Sequence, residues 1–284
     1  MKKDKRKHDP IFKAGQKAIA KTQKQLSEHA PLTPEQVHEV RICTKKVRAL
    51  LQLYRPFCGK TAIKAVEQKV KKLADGLAGS RDAHVLQQTL SQLAKAYGSD
   101  QDIQPLLEYF AQLNEKAQRA APTVHPAKSL KNIEEAWKNK IRPKREPDFD
   151  EGMEFSYQKA RKLAFDAESS DQDETYHECR KWAKYYLYQL QMSHYKKQAD
   201  TKAHIALVKQ LAELLGQFHD RCVLESALND LLQGKAKRAQ ALETAALLML
   251  SYLAEQKRLD KERCHRFFES LFSYSCNPIV ELAS

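Results

Sequence analysis

Apolar residues recur every three or four positions along nearly the whole chain, and no stretch alternates apolar with polar residues as a half-buried strand would. The periodicity predicts helices over 10–29, 34–56, 60–75, 82–97, 102–121 and 127–141. A second series is predicted over 151–168, 173–198, 201–217, 219–233, 235–258 and 260–274. The breaks have chemical causes. Thr33-Pro34-Glu35-Gln36 reads as a capping box with proline at the first helical position. Pro56 and Gly59 end that helix, and Gly98-Ser99-Asp100 is a turn. The segment 142–150 (RPKREPDFD) carries two prolines and clustered charge, so it reads as a linker. The expected architecture is all-α, with one helical bundle over 10–142 and a second over 150–276.

An internal repeat spans the linker. His38-x-x-Arg41-x-x-x-Lys45 recurs in the second half as His177-x-x-Arg180-x-x-x-Lys184, at an offset of 139. LAGSRDAHVL (77–86) aligns with LGQFHDRCVL (215–224), an offset of 138. Two marker segments in the same order at nearly one offset imply two bundles of similar design, related by internal duplication.

The first marker helix shows how its charges are arranged. Val37, Val40, Thr44, Val47, Leu51 and Tyr54 form one apolar stripe. His38, Arg41, Lys45, Arg48 and Arg55 follow the same rhythm shifted by one residue, about 100° round the helix and bordering the first stripe. Lys46 stands beside them. Such rows of like charge destabilise a helix by about 0.2–0.5 kcal/mol per pair. Between Gln36 and Lys72 there are ten Lys or Arg and only two acids, Glu39 and Glu67, so an external anion is the natural counter-charge. The helix around His177 repeats the pattern with Arg180, Lys181 and Lys184, and Leu187 takes the place of Arg48. Arg81 and His219 precede Asp82 and Asp220 in the second pair of markers, where the acids could cap helices or hold an arginine.

Composition sharpens this. The net charge of +13 favours a polyanionic partner: nucleic acid, an anionic membrane surface or a phosphate polymer. With only 8 glycines there is little material for a nucleotide-cradling loop, and no P-loop or ExExK motif occurs. The six cysteines form no CxxC pair, and the basic start MKKDKRKH has no apolar run after it, which points to reduced thiols and a cytoplasmic setting. The most apolar run, 245–250, is too short to span a bilayer. Lys2 to Lys7 reads as a disordered basic end.

VHEVRICTKKVRALLQLYRPF (37–57) closely resembles the opening signature of the CHAD family, the conserved-histidine α-helical domains. GLAGSRDAHVL (76–86), YHECRKWAKYYLYQL (176–190) and LAELLGQFHDRCVL (211–224) are similar to its later signatures, in the right order. The resemblance implies two helical bundles with pseudo-twofold symmetry, binding of inorganic polyphosphate along a basic channel between or across them, and association with polyphosphate granules. By position it implies a first binding set of His38, Arg41, Lys45, Lys46 and Arg48 and a second of His177, Arg180, Lys181 and Lys184; Arg55, Arg81 and His219 are added from the residue pattern. Lys45 and Lys46 stand where arginines are usual in the family, and His84 where an acid is common. No catalytic residue, metal ligand or cofactor is expected. The rival readings are a nucleic-acid-binding helical protein and, behind it, a metal-dependent phosphohydrolase built on the His219-Asp220 dipeptide with His177, His194 and Asp260.

Overall fold

A computed structural model describes residues 9–26, 32–77, 79–98, 100–119, 125–193, 198–234 and 239–281. The basic segment 2–7 and His194 lie outside them. The described residues form α-helices and no strand. In the first half they are α1 (Pro10–Gln23), α2 (Pro34–Leu53), α3 (Lys60–Asp75), α4 (Gly79–Tyr97), α5 (Asp100–Gln118) and α6 (Pro126–Lys140). In the second half they are α7 (Phe149–Ser170), α8 (Asp173–Met192), α9 (Ala199–Gln233), α10 (Gln240–Phe272) and α11 (Pro278–Glu281).

The starts of these helices follow local chemistry. Thr33 accepts a bond from Gln36 N at 3.3 Å and the Gln36 side chain accepts one from Thr33 N at 3.0 Å, so the expected capping box is formed. Asp9 caps α1 by accepting from Ile11 N at 2.9 Å, and it also accepts from the Tyr54 hydroxyl at 2.5 Å. One buried carboxylate thereby fixes both the start of α1 and the end of α2.

Two expected breaks are absent. The sequence places helix ends near 218 and 259, but α9 and α10 run through both. In α9 the buried face changes: Val208, Leu211, Leu215 and Phe218 enter one core, and Leu224, Leu228 and Leu231 enter another. The shift from one stripe to the next imitates a boundary in the sequence. In α10 the polar stretch around Asp260 reads as a break, yet Asp260 is fully buried and engaged by Arg221 of α9. A carboxylate paired through one oxygen with an arginine fills a core position there.

The fused helices explain how the halves compare. α2 and α8 each have 20 residues, and their first residues, Pro34 and Asp173, stand at the repeat offset of 139. The starts of α1 and α7, Pro10 and Phe149, share that offset, as do those of α3 and α9, Lys60 and Ala199. The gap between α3 and α4 is bridged in α9, and that between α5 and α6 in α10. Both apolar cores draw on both halves. The larger takes side chains from α1, α2, α3 and α6 together with α7, α8, the first part of α9 and the second part of α10. The smaller joins α4 and α5 to the remaining parts of α9 and α10. The expected segments 10–142 and 150–276 therefore pack against each other, with α2 against both α7 and α8, α4 against α9 and α5 against α10.

That contact is close. A Cβ on Gly152 of α7 would lie 2.5 Å from the Leu53 carbonyl oxygen and 2.9 Å from its Cα. Alanine would add about 0.5–1 kcal/mol of helix preference, but a main-chain clash of this kind costs more, since neither backbone can yield alone. Gly152→Ala should lower stability by about 1–2 kcal/mol net, read as a lower urea midpoint with an unchanged slope. A midpoint at or above that of the parent would show that the α2–α7 contact is looser than described.

Candidate functional site

A groove of about 430 Å³ opens between α2 and α8 and is closed at its sides by α3, α4 and α9. Arg41, Lys45 and Arg48 line it from α2, and His177, Arg180, Lys181 and Lys184 from α8. Arg81 of α4 and His219 of α9 complete the set. These are nine of the twelve positions singled out in the sequence. The other three are elsewhere. His38 and Lys46 are exposed on α2 outside the groove lining. Arg55 donates to Gln52 at 2.7 Å and pairs with Glu67 at 3.6 Å. Sequence reasoning did not find Asp75, Val85, Tyr185, Tyr188 or Val223, which also line the groove. The repeat carried part of that signal, because Val85 and Val223 are related by the offset of 138.

The lining is paired. Arg41 matches Arg180 and Lys45 matches Lys184 at an offset of 139. Arg81 matches His219 and Asp82 matches Asp220 at 138. The two arginines nevertheless differ in their surroundings. Arg41 Nη1 donates to the Leu77 carbonyl at 3.3 Å, an oxygen made available by the gap between α3 and α4. The corresponding part of α9 is continuous, so its carbonyls are used within the helix. There Arg180 Nε sits where a Cβ on Gly216 would be 3.8 Å away, and it has no partner. Arg48 Nε is likewise buried without one.

Among the described residues, none of Arg41, Lys45, Arg48, Arg180 and Lys184 forms an ion pair with a carboxylate. Burial, reinforced by Arg180 and Lys45, brings Lys184 down to about 7. Burial also lowers Lys45 and Arg41, with Arg81 the nearest repelling charge in both cases. Arg180 is lowered by burial and partly restored by Asp220. Burial raises Asp220, against the pull of Arg180 and Arg81. Asp220 lies in the middle of α9 and so caps nothing, while Asp82 lies 3.8 Å from Arg81 in the first turn of α4. Lys181 differs from its neighbours, since Glu178 accepts from it at 2.8 Å.

The two histidines act as a unit. His177 Nδ1 and His219 Nδ1 are 3.0 Å apart, so one ring donates to the other. When both are neutral, the accepting ring carries its proton on Nε2 and can donate there. Burial and the nearby Arg180 bring His219 down to about 4, which favours the neutral form of that ring. The pair also borders a second cavity of about 450 Å³ lined by Asp173, Phe218 and Cys222. Among the described residues no cluster of His, Cys, Asp or Glu is arranged to hold a metal ion. None of their helices is long and apolar enough to cross a membrane.

Lys184 gives a stability test with a definite sign. In the unfolded chain it takes its proton near the ordinary 10.5, but in the groove only near 7. The destabilisation is absent above the first value, grows as pH falls, and is complete below the second. Lys184→Met, which keeps the stem, should therefore raise Tm, and more at pH 6 than at pH 10. Thermal melts at both pH values check this; an equal gain at each would mean that Lys184 titrates normally.

Comparison with known proteins agrees with this architecture. No curated protein matches the chain. Among solved structures it is similar to the CHAD domain from the plant Ricinus communis, with 17% identity and a TM-score of 0.61 over 94% of this chain and 92% of that one. It is also similar to PptA from Streptomyces chartreusis, with 11% identity and a TM-score of 0.64 over 93% of this chain and 98% of that one. At such identities the likeness is one of fold. The sequence model of the CHAD domain matches residues 14–229, and on that match and the shared fold the chain belongs to the CHAD domain family.

Proposed function

We propose that this protein binds inorganic polyphosphate in the α2–α8 groove without turning it over, and that its two halves, 10–142 and 150–276, arose by duplication and contribute one wall each. The protein is proposed to work in the cytoplasm, associated with polyphosphate granules. The observation that carries the reading is the set of half-buried cations on facing helices that lack carboxylate partners. Such a set is stable only if its repulsion is modest or an anion relieves it. The anion should be slender and charged along its length. A slot of about 430 Å³ with cations on two walls suits a chain of phosphates. It offers little platform for bases, since of the two tyrosines that line it Tyr185 is buried edge-on against Trp182 at 5.5 Å and Tyr188 is half-buried. Polyphosphate has charge at every unit and no base to accommodate.

Calorimetric titration with defined-length polyphosphate, with single-stranded DNA as competitor, tests the proposal. Tight binding whose log affinity falls linearly with log salt is expected, as counterions are released from the polymer. Arg41→Ala and Arg180→Ala should each weaken it by about tenfold or more, as a charge-assisted bond to phosphate contributes roughly 1.5–3 kcal/mol. Both variants should melt no lower than the parent. Displacement by DNA at equal phosphate concentration would favour a nucleic-acid binder, and release of orthophosphate would overturn the non-catalytic part.

The groove also predicts a pH dependence. A bound polyanion raises the pKa of Lys184 above its value of about 7 in the protein alone, so binding takes up a proton. The extra affinity is complete below pH 7 and is lost as pH rises from there through the raised pKa of the complex. Affinity should therefore fall between pH 7 and pH 9. Lys184→Arg, which stays charged throughout, should flatten that fall. An unchanged pH slope in the variant would assign the titration to another group.

A further inference from the structure

A second cationic surface lies outside the groove. α6 packs between α1 and α3, and together these helices form an outer layer of the fold. They contain twelve lysines, four acids and no arginine. All twelve lysines are exposed, because each helix turns a different stripe to the core: Ile11, Gly15 and Ile19 in α1, Ile63, Val66 and Val70 in α3, and Leu130, Ile133 and Trp137 in α6. Two of the acids are already engaged, Glu67 by Arg55 and Glu134 by Lys138. The large apolar side chains exposed on this protein, such as Phe165, Leu207 and Leu247, lie on other helices.

The chemistry of this face selects its partner. Lysine ammoniums on flexible stems attract phosphate without demanding a fixed geometry. With no exposed aromatic or large aliphatic side chain, the face has nothing to insert among acyl chains or to stack on bases. The face also adjoins the groove. Ala74 and Asp75, at the end of α3, line the groove, and Lys71 and Lys72 stand within one turn before them.

We propose that the α1–α6–α3 face is a second polyphosphate-binding surface, on which a chain too long for the groove continues after leaving it at the C-terminal end of α3. This rests on the groove reading above and extends it to chain-length selection. Engagement of one polymer by groove and face acts as multivalency: each unit leaving the groove meets a high local concentration of ammoniums. Long chains are thus held more tightly than short ones by this protein, beyond the statistical gain from having more units.

The test compares two chain lengths, one short enough to fit within the groove and one several times longer. The quadruple variant Lys64→Gln, Lys71→Gln, Lys128→Gln, Lys131→Gln removes charge from exposed positions only, and circular dichroism checks that its helix content is kept. The short chain should bind it within about twofold of the parent. The long chain should bind at least about tenfold more weakly, with a salt slope smaller by roughly 3, from about 0.7 per lost phosphate contact on a single strand. Arg41→Ala should weaken both lengths. Unchanged long-chain binding to the quadruple variant would overturn the second surface, as would an equal loss at both lengths. Unchanged binding of both lengths to Arg41→Ala would instead overturn the groove reading. A long single-stranded DNA that lost the same factor on the quadruple variant would overturn the assignment of this face to polyphosphate.

Discussion

Arg41, Lys45, Arg180 and Lys184 share one groove, and burial and mutual repulsion push the pKa of each of them down. The same chain shows what the opposite arrangement looks like. Lys257 of α10 is also buried, and burial likewise pulls its pKa down. Asp173 at 2.5 Å and Glu225 at 2.6 Å reverse the effect, so its pKa ends well above the ordinary value. Lys261 lies 2.9 Å from Asp171, and Arg221 engages the fully buried Asp260. These pairs tie α8 to α10 and α9 to α10. Acids are therefore at hand in the second half, and Asp171, Asp173, Glu225 and Asp260 are engaged with cations outside the groove. The contrast between Lys257, held by two carboxylates, and Lys45 and Lys184, which have none, marks the first as structural and leaves the others with unsatisfied charge.

Holding unsatisfied cations at close range requires a scaffold that cannot relax away from them. α2 and α8 are clamped on their other faces: α2 by α1, α3 and α7, and α8 by α7 and α9. Gly152 lets α7 approach the Leu53 main chain, and Gln189 of α8 donates to the Ala49 carbonyl of α2 at 2.9 Å. The floor of the groove is thus a pair of helices joined by a buried hydrogen bond from side chain to main chain, with α7 in main-chain contact behind α2. The cations stand on the edges of the apolar stripes, where their stems are packed and their heads face the slot.

Much of this arrangement can be read along the chain, because it is written in local periodicity. The stripe Arg41, Lys45, Arg48 sits one residue from the apolar stripe, and the recurrence at an offset of 139 places its counterpart on α8. Helix starts marked by capping residues, as at Thr33, are equally legible. What is not legible depends on neighbours distant in sequence. His38 shares the stripe of Arg41 but lies beyond the groove, and Arg55 shares it too yet is taken up by Glu67 of α3. Asp75 lines the groove through the end of α3, which no helical pattern could reveal. The two false breaks have the same origin. A helix that changes partners midway, as α9 does, shifts its apolar stripe, and a core position filled by Asp260 looks polar until Arg221 is seen beside it.

The duplicated pattern is not symmetrical in its chemistry, and the difference follows from one change in helix continuity. In the first half α3 ends at Asp75, so the Leu77 carbonyl lies open and Arg41 binds it. In the second half the chain runs on through Gly216, the backbone is closed, and Arg180 is left with an unpartnered Nε. The acids are also asymmetrical. Asp82 is exposed at the start of α4, whereas Asp220 is half-buried in the middle of α9, where burial raises its pKa against the pull of Arg180 and Arg81. Any anion entering the groove meets Asp220 as a competitor for Arg180 and meets Arg41 already bound to a carbonyl. Of the two matched arginines, Arg180 therefore holds the larger unused hydrogen-bonding capacity, and on the α2 wall the unpartnered Nε belongs to Arg48, whose place on α8 is taken by Leu187. Each wall thus keeps one arginine with an unused donor, at different levels of the groove, and availability governs how strongly each level can hold an anion, because an already satisfied donor must first give up its partner.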